Sequence, residues 1–293
     1  MFEGSTPGHP QTNGVQPMKY DRILELVMAA MEDETSWRKT WQSQSCLHQN
    51  WVSKRPYNGT NQLMTMISSW MHGFSKPYWL TYKQVVELGG SVKGQKATPA
   101  IFFGTGKDKE DTDKSYKFAK LYNIFNIEQT GIELPQIELR QTKLERPYEM
   151  ADAIKVKISS STFHNPCYSP SADEIRMPMP GQFETDDAHQ STFYHECIHA
   201  TGHNSRLDRP LTGAFGSEDY AKEELIAELG SIFLCSELGV TYDIAQHASY
   251  LNSWKKAIQS NPKYLTTAAT EARKASEYCM SQFTMMRKYD EAA

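Results

Sequence analysis

The sequence predicts an α+β protein folded as two domains, and three observations point there. The chain has 293 residues, more than one typical domain and suited to two of roughly 100–150 residues each. Strand-like and helix-like stretches occur in both halves, but TGIELPQIELRQTKLERP loses clear periodicity and places a linker near 132–148. Charge is also unevenly shared: from 19 to 146 Lys and Arg outnumber Asp and Glu, and from 147 onward the balance reverses. A basic half suits a polyanion and an acidic half does not. The expected layout is a flexible leader over 1–17, a first domain over 18–140 and a second over 148–293.

Taken in order, YDRILELVMAAME (20–32) carries apolar residues at helical spacing and predicts an amphipathic helix. SWRKTWQSQSCLHQNWVSKRPYNGTNQ mixes aromatics, bases and turn formers, as an irregular surface segment does. LMTMISSWM suits a buried helix. LTYKQVVELGG predicts a short helix from near Thr81, ended by Gly89 and Gly90. ATPAIFFG and FAKLYNIFNIEQ read as strands, joined through a charged hairpin tip in GTGKDKEDTDKS. In the second half, KVKIS and DEIRMPMP read as strands, with a turn at Ser169-Pro170-Ser171 before the latter. STFYHECIHATGHN and YAKEELIAELGSIFLCSELG read as helices, and HASYLNSWKKAIQ and LTTAATEARKASEYCMSQF as a helical tail. No internal repeat is present.

Composition excludes several classes. An apolar content of 39% is ordinary for a soluble domain, and no apolar run approaches the ~20 residues that span a bilayer. The N-terminal stretch lacks the basic start and apolar core of a signal peptide. The five cysteines, Cys46, Cys167, Cys197, Cys235 and Cys279, are odd in number, scattered and without a CxxC pair. That argues against a disulfide framework or a cysteine zinc site and for a reducing cytoplasm.

His195-Glu196-Cys197-Ile198-His199 is an HExxH motif. On a helix the two histidines share one face and can reach one Zn²⁺ at ~2 Å. Glu196 can then take a proton from a metal-bound water as general base. Phe193, Tyr194 and Ile198 supply the packing of a buried helix, and Gly202 a helix stop. A catalytic zinc needs a third protein ligand. Glu224 and Glu228 are four apart on an otherwise apolar helical face, where carboxylates need a reason. The assignment is Glu224 as ligand and Glu228 as hydrogen-bond partner of a ligand histidine. The reverse assignment, and His203 as third ligand, compete with it. His247 and Tyr250 are candidate transition-state stabilisers, and Arg206 and Arg209 either cap the helix end or bind substrate.

Trp37, Trp41, Trp51, Tyr57, Trp70, Tyr78, Trp79 and Tyr82 crowd into fewer than 50 residues, interleaved with bases. Aromatic rings stack on unpaired bases and cations follow phosphates, which suits single-stranded nucleic acid. Trp70 and Trp79 are expected in the core. The candidate DNA-binding residues are Trp37, Arg38, Lys39, Trp41, Lys54, Arg55, Tyr57 and Lys83.

SWRKTW, RPYNGTNQL, YWLTYKQVVELGGSVKGQKATPAIFFG and YNIFNIEQ resemble the N-terminal domain of ArdC-type antirestriction proteins. YSPSADEIRMPMPGQF, YHECIHATGHNSRLDR and YAKEELIAELGSIFLCSELG resemble that family's zincin-like metallopeptidase domain. The resemblance runs from about residue 18 to about 285. It implies a small α+β domain that binds single-stranded DNA, followed by a zincin with an HExxH helix, a glutamate third ligand and one Zn²⁺ per chain. It further implies an antidefence protein of a plasmid or phage, acting in the bacterial cytoplasm on a protein associated with DNA or host defence, with no membrane partner. The competing functions are a stoichiometric DNA shield with structural zinc and a zinc nuclease. DEIRMPMP is expected to form the upper rim of the cleft, either as an edge to which a peptide could add or as an edge capped by Pro178 and Pro180 against aggregation.

Overall fold

The computed structural model describes residues 28, 47–107, 115–133, 147–211, 213, 217–242, 254, 258–261 and 263–292. Most of the expected 20–32 helix, residues 108–114 of the expected hairpin tip, most of the expected linker and most of HASYLNSWKKAIQ lie outside the described residues. No described helix is long and apolar enough to cross a membrane.

The first half is built on a four-stranded sheet. Its elements are β1 (Gln49–Asn50), α1 (Gly59–His72), β2 (Tyr78–Thr81), α2 (Tyr82–Glu87), β3 (Thr98–Lys107) and β4 (Ser115–Asn126), with strand order β1-β2-β4-β3. β1 runs parallel to β2, and β2 and β3 each run antiparallel to β4. α2 starts as its sequence indicates: Thr81 caps it, Gln84 completes the capping box, and Gly89 follows at φ +76°. Asn61 of α1 exchanges two 2.8 Å hydrogen bonds with the backbone of Ile101 and so pins α1 to β3.

The second half holds a smaller sheet and three long or central helices. Its elements are α3 (Glu149–Ala153), β5 (Lys157–Ser160), β6 (Cys167–Ser169), β7 (Glu174–Met177), α4 (Asp186–Thr201), α5 (Glu218–Leu238) and α6 (Lys263–Ala292). The sheet order is β5-β7-β6, with β5 parallel and β6 antiparallel to β7. This corrects the expectation for DEIRMPMP. β7 is the central strand, because the turn after Ser169 folds Cys167–Ser169 back along it, and β6 is the edge.

α4 begins earlier than its apolar pattern suggests. Thr185 caps it by accepting from the Ala188 N–H, and Asp186 and Asp187 favour the positive end of the helix. α5 is capped by Ser217 and closed by Gly239 at φ +67°.

One apolar cluster runs through both halves, joining Leu63, Met64 and Ile67 of α1 to Phe193 and Ile198 of α4, Leu229 and Phe233 of α5, and Ala269 and Cys279 of α6. Gly59, at φ +44°, lies where a Cβ would come 3.2 Å from the Ala269 carbonyl oxygen, so α1 meets α6 almost backbone to backbone. Two small clusters finish the first half, one of Tyr57, Trp79, Ala100 and Ile124, the other of Tyr78, Leu80, Val85 and Ile127. Trp79 is fully buried, as expected.

Candidate metal centre

α4 and α5 pack against each other along a close contact. A Cβ on Gly230 would come within 2.8 Å of Ile198 Cγ2, so only a bare backbone lets α5 lie this near to α4. Ile198 precedes His199, and Glu224 lies six residues before Gly230. The contact therefore brings a carboxylate of α5 up to the two imidazoles of α4.

Ligand atoms of His195, His199 and Glu224 all lie within 4.8 Å of one another. The two histidine Nε2 atoms are 3.1 Å apart. Glu224 presents Oε2 at 3.6 Å to His195 Nε2 and Oε1 at 3.6 Å to His199 Nε2. Donors about 2.0–2.1 Å from one tetrahedral centre stand roughly 3.4 Å apart, so these residues fit a single small divalent cation. His203, the competing third ligand, instead turns its Nδ1 to the Ser205 hydroxyl at 2.8 Å and is not in the cluster.

Behind the cluster each histidine faces a second carboxylate. Glu228 Oε1 lies 3.8 Å from His195 Nδ1, and its other oxygen accepts from the Tyr242 hydroxyl. Glu223 Oε1 lies 3.3 Å from His199 Nδ1. Arg209 holds Glu223 in turn, donating through Nη2 at 2.7 Å and Nε at 3.1 Å. Arg209 also donates to the Ile198 carbonyl at 2.8 Å, and Arg206 to the Ala200 carbonyl at 2.6 Å, so both arginines close the C-terminal end of α4.

Electrostatically the site favours positive charge. Burial alone would lower the His199 pKa, but the Glu223 hydrogen bond and the charges of Glu224 and Glu196 raise it to about 9. Burial likewise pushes the Glu224 carboxyl up, yet the hydrogen bond from His195 and the charges of both histidines hold it down at about 2.

The cluster forms the floor of a cleft of about 490 Å³. β6 and its flanks, from Pro166 to Pro170, make one wall, and Asp219 and Tyr220 at the start of α5 line it as well. Glu196, itself buried, also faces the cleft. Sequence reasoning missed Glu223 and Tyr220. Tyr220 lies one turn before Glu224, and its side chain hydrogen-bonds that carboxylate. Three acids within EELIAEL, with an arginine at 209, were the available signal.

Of the other expected site residues, Trp37, Arg38, Lys39, Trp41, His247 and Tyr250 lie outside the described residues. Lys54, Arg55 and Lys83 are exposed. Lys54 Nζ sits 2.9 Å from the Trp51 ring centroid, and Lys83 pairs with Glu87 at 3.6 Å. Tyr57, expected to stack on bases, is instead buried in the cluster with Trp79, Ala100 and Ile124, 9% exposed.

An HExxH helix opposed by a glutamate helix, below a sheet whose edge strand lines the cleft, defines a zincin-like metallopeptidase domain, and residues 145–271 match that domain. Residues 18–125 match the N-terminal domain of the anti-restriction factor ArdC. The chain belongs to the ArdC antirestriction family. It superposes on the metal-free crystal structure of antirestriction ArdC from plasmid R388 with a TM-score of 0.77 and 33% identity, over 90% of this chain and 97% of that one. The Mn(II)-bound structure of the same protein gives a TM-score of 0.76. Two Escherichia coli proteins named DNA primase TraC are 32% and 33% identical over 96% and 91% of this chain. This chain spans only 28% and 20% of their length. The uncharacterised protein y4eC of Sinorhizobium fredii is 30% identical, over 90% of this chain and 92% of its own length.

Proposed function

We propose that this protein is a mobile-element antirestriction factor that binds single-stranded DNA through its first domain and hydrolyses peptide bonds at a zinc site in its second. The observation that carries the second part is the spacing of three donors, the buried His195 and Glu224 and the half-buried His199, 3.1, 3.6 and 3.6 Å apart, beside the buried Glu196. His195, His199 and Glu224 would hold the zinc. Bound there, zinc would supply Lewis acidity toward a water and a carbonyl. Glu196 accepts the proton of the attacking water and returns it to the leaving nitrogen. Glu228 and Glu223 fix the orientation of the two imidazoles. A substrate strand would add at the edge of β6, which lines the cleft, and not at β7.

The reading of the first domain rests on its excess of basic residues, its density of aromatics and its match to the ArdC N-terminal domain. DNA binding would bring the cleft to proteins gathered on incoming DNA in the bacterial cytoplasm. A second reading has one observation in its favour: a cation between α4 and α5 would also staple these helices, so the zinc could be structural and the protein a stoichiometric shield. Glu196→Ala separates the two. It leaves all three donors in place, so zinc content by mass spectrometry stays at one per chain in either case. Hydrolysis of an unstructured reporter protein, assayed with single-stranded DNA present, should fall at least 100-fold in the variant. Equal protection of transferred DNA from restriction by wild type and variant would favour the shield.

A further inference from the structure

β3 and β4 pair over ten positions, from Thr98↔Ile124 to Lys107↔Ser115, but β2 pairs only with Ile124–Asn126. Residues 100–107 and 115–122 therefore run on as a two-stranded ribbon, with no third strand beside them among the described residues. Side chains alternate between the ribbon's faces. One face begins in the small core of Trp79, Ala100 and Ile124 and continues outward as Phe102, Phe118 and Tyr116. There the rings emerge: Phe102 is 54% exposed, Phe118 37% and Tyr116 55%. They form a row, with centroids 6.0 Å and 6.2 Å apart. Single exposed rings are ordinary, but a contiguous row of them marks an interaction surface.

The opposite strand is shaped to receive these rings. Gly104 and Gly106 pair with Phe118 and Tyr116, and a Cβ on either glycine would come within 2.6 Å of its partner's ring. Each ring lies across bare backbone with its other side toward solvent. Shielding of glycine by an aromatic can stabilise a ribbon by itself. Phe102 also leans over Gly104, its Cε1 2.8 Å from where that Cβ would lie, and its own partner across the strands is the exposed Lys120. Neither β3 nor β4 contains an Asp or Glu. The surface thus offers ring faces and positive charge with no carboxylate in either strand. That is the chemistry of unpaired bases and their phosphates. Duplex bases are stacked on one another and have no free face to offer.

We propose that the Phe102–Phe118–Tyr116 face of this ribbon is the platform on which the first domain stacks unpaired bases, with Lys120 beside the phosphates. The proposal rests on the single-stranded DNA reading given above and assigns it a place. It requires no sequence preference, because every base has a π-face.

The test is fluorescence anisotropy of a labelled oligothymidine with the full chain, for wild type and for Phe102→Leu, Tyr116→Leu and Phe118→Leu. Leucine keeps apolar bulk but removes the ring, and Phe102 and Tyr116 are exposed enough for the fold to tolerate the change. Each is expected to weaken binding about 5- to 150-fold, the span seen for loss of one stacked base. Lys120→Ala should reduce the salt dependence of binding by about one phosphate contact. Unchanged zinc content in each variant shows that the second domain is intact. Wild type that binds while all three leucine variants bind equally well overturns the platform alone. Wild type that binds no oligothymidine, or that prefers duplex, overturns the single-strand reading and the platform with it.

Discussion

Glu223 decides how His199 stands. It takes the Nδ1 side of the imidazole at 3.3 Å while Arg209 grips both its oxygens, which leaves Nε2 to face His195 and Glu224. Glu223→Gln keeps the shape but removes the charge that orients the ring. Zinc affinity, read by competition with a chromophoric chelator, should fall about 10- to 100-fold, the usual cost of losing such a partner. A second residue-scale prediction concerns His48, fully buried and accepting from the Trp79 indole N–H at 3.0 Å. Burial pushes its pKa from 6.5 down to about 3. Below pH 6.5 the unfolded chain takes up a proton there that the folded chain refuses, so stability falls as pH drops from 6.5 toward 3. The slope from this residue approaches about 1.4 kcal/mol per pH unit. In urea titrations from pH 7 to 4.5, His48→Gln should flatten that part of the profile whatever its own cost. At this scale the sequence spoke where covalent spacing decides the outcome. The turn of a helix fixes His195, Glu196 and His199, and the acids of EELIAEL announce Glu224. Tyr57 was misjudged because composition does not say which of many aromatics is covered, and Glu223 escaped because the flank of α5 that meets α4 is set by packing.

At the scale of elements, the helices of the site were legible from their periodicity and closing glycines, and the β3–β4 hairpin from its two apolar runs. β1, α3 and β6 were not, since each is only two to five residues long and carries no pattern that a loop could not show. Missing β6 is what made β7 look like an edge. The α4–α5 contact is the element on which the site depends, and it can be tested at Gly230. An alanine there gains helix propensity worth up to about 1 kcal/mol, but its Cβ would crowd Ile198 at 2.8 Å. Overpacking of this kind costs about 1–3 kcal/mol and moves Glu224 away from the histidines. Gly230→Ala should therefore lower the melting temperature and weaken zinc binding together. Ile198→Ala, which empties the crowded space, should cost less beside Gly230→Ala than alone. Strict additivity of the two in a double-mutant cycle would mean that the contact does not set the helix spacing.

For the molecule as a whole, charge and broken periodicity suggested two independent units, and each half does have its own sheet. The apolar interior is not divided in the same way. α6 belongs by sequence to the second half, yet Gly59 of α1 lies against its backbone at Ala269, and the core cluster runs from Leu63 to Phe283 without a break. Separate folding units would need an interface that few apolar contacts cross. Here α1 gives Leu63, Met64, Met66 and Ile67 to the shared cluster and so loses much of its burial when α6 departs. Two consequences follow for unfolding. Calorimetry should show one transition and not two, with the sheet of the first half melting together with the HExxH helix. If zinc binds at the proposed site, it binds only the folded second half and should then raise the melting temperature of the whole chain by mass action, including the signal of the fully buried Trp79 in the first half. A Trp79 signal that melts early and ignores zinc, while far-ultraviolet circular dichroism shows a later zinc-dependent step, would mean that the α1–α6 contact is too weak to couple the halves, and that the two halves respond to each other only through the chain that joins them.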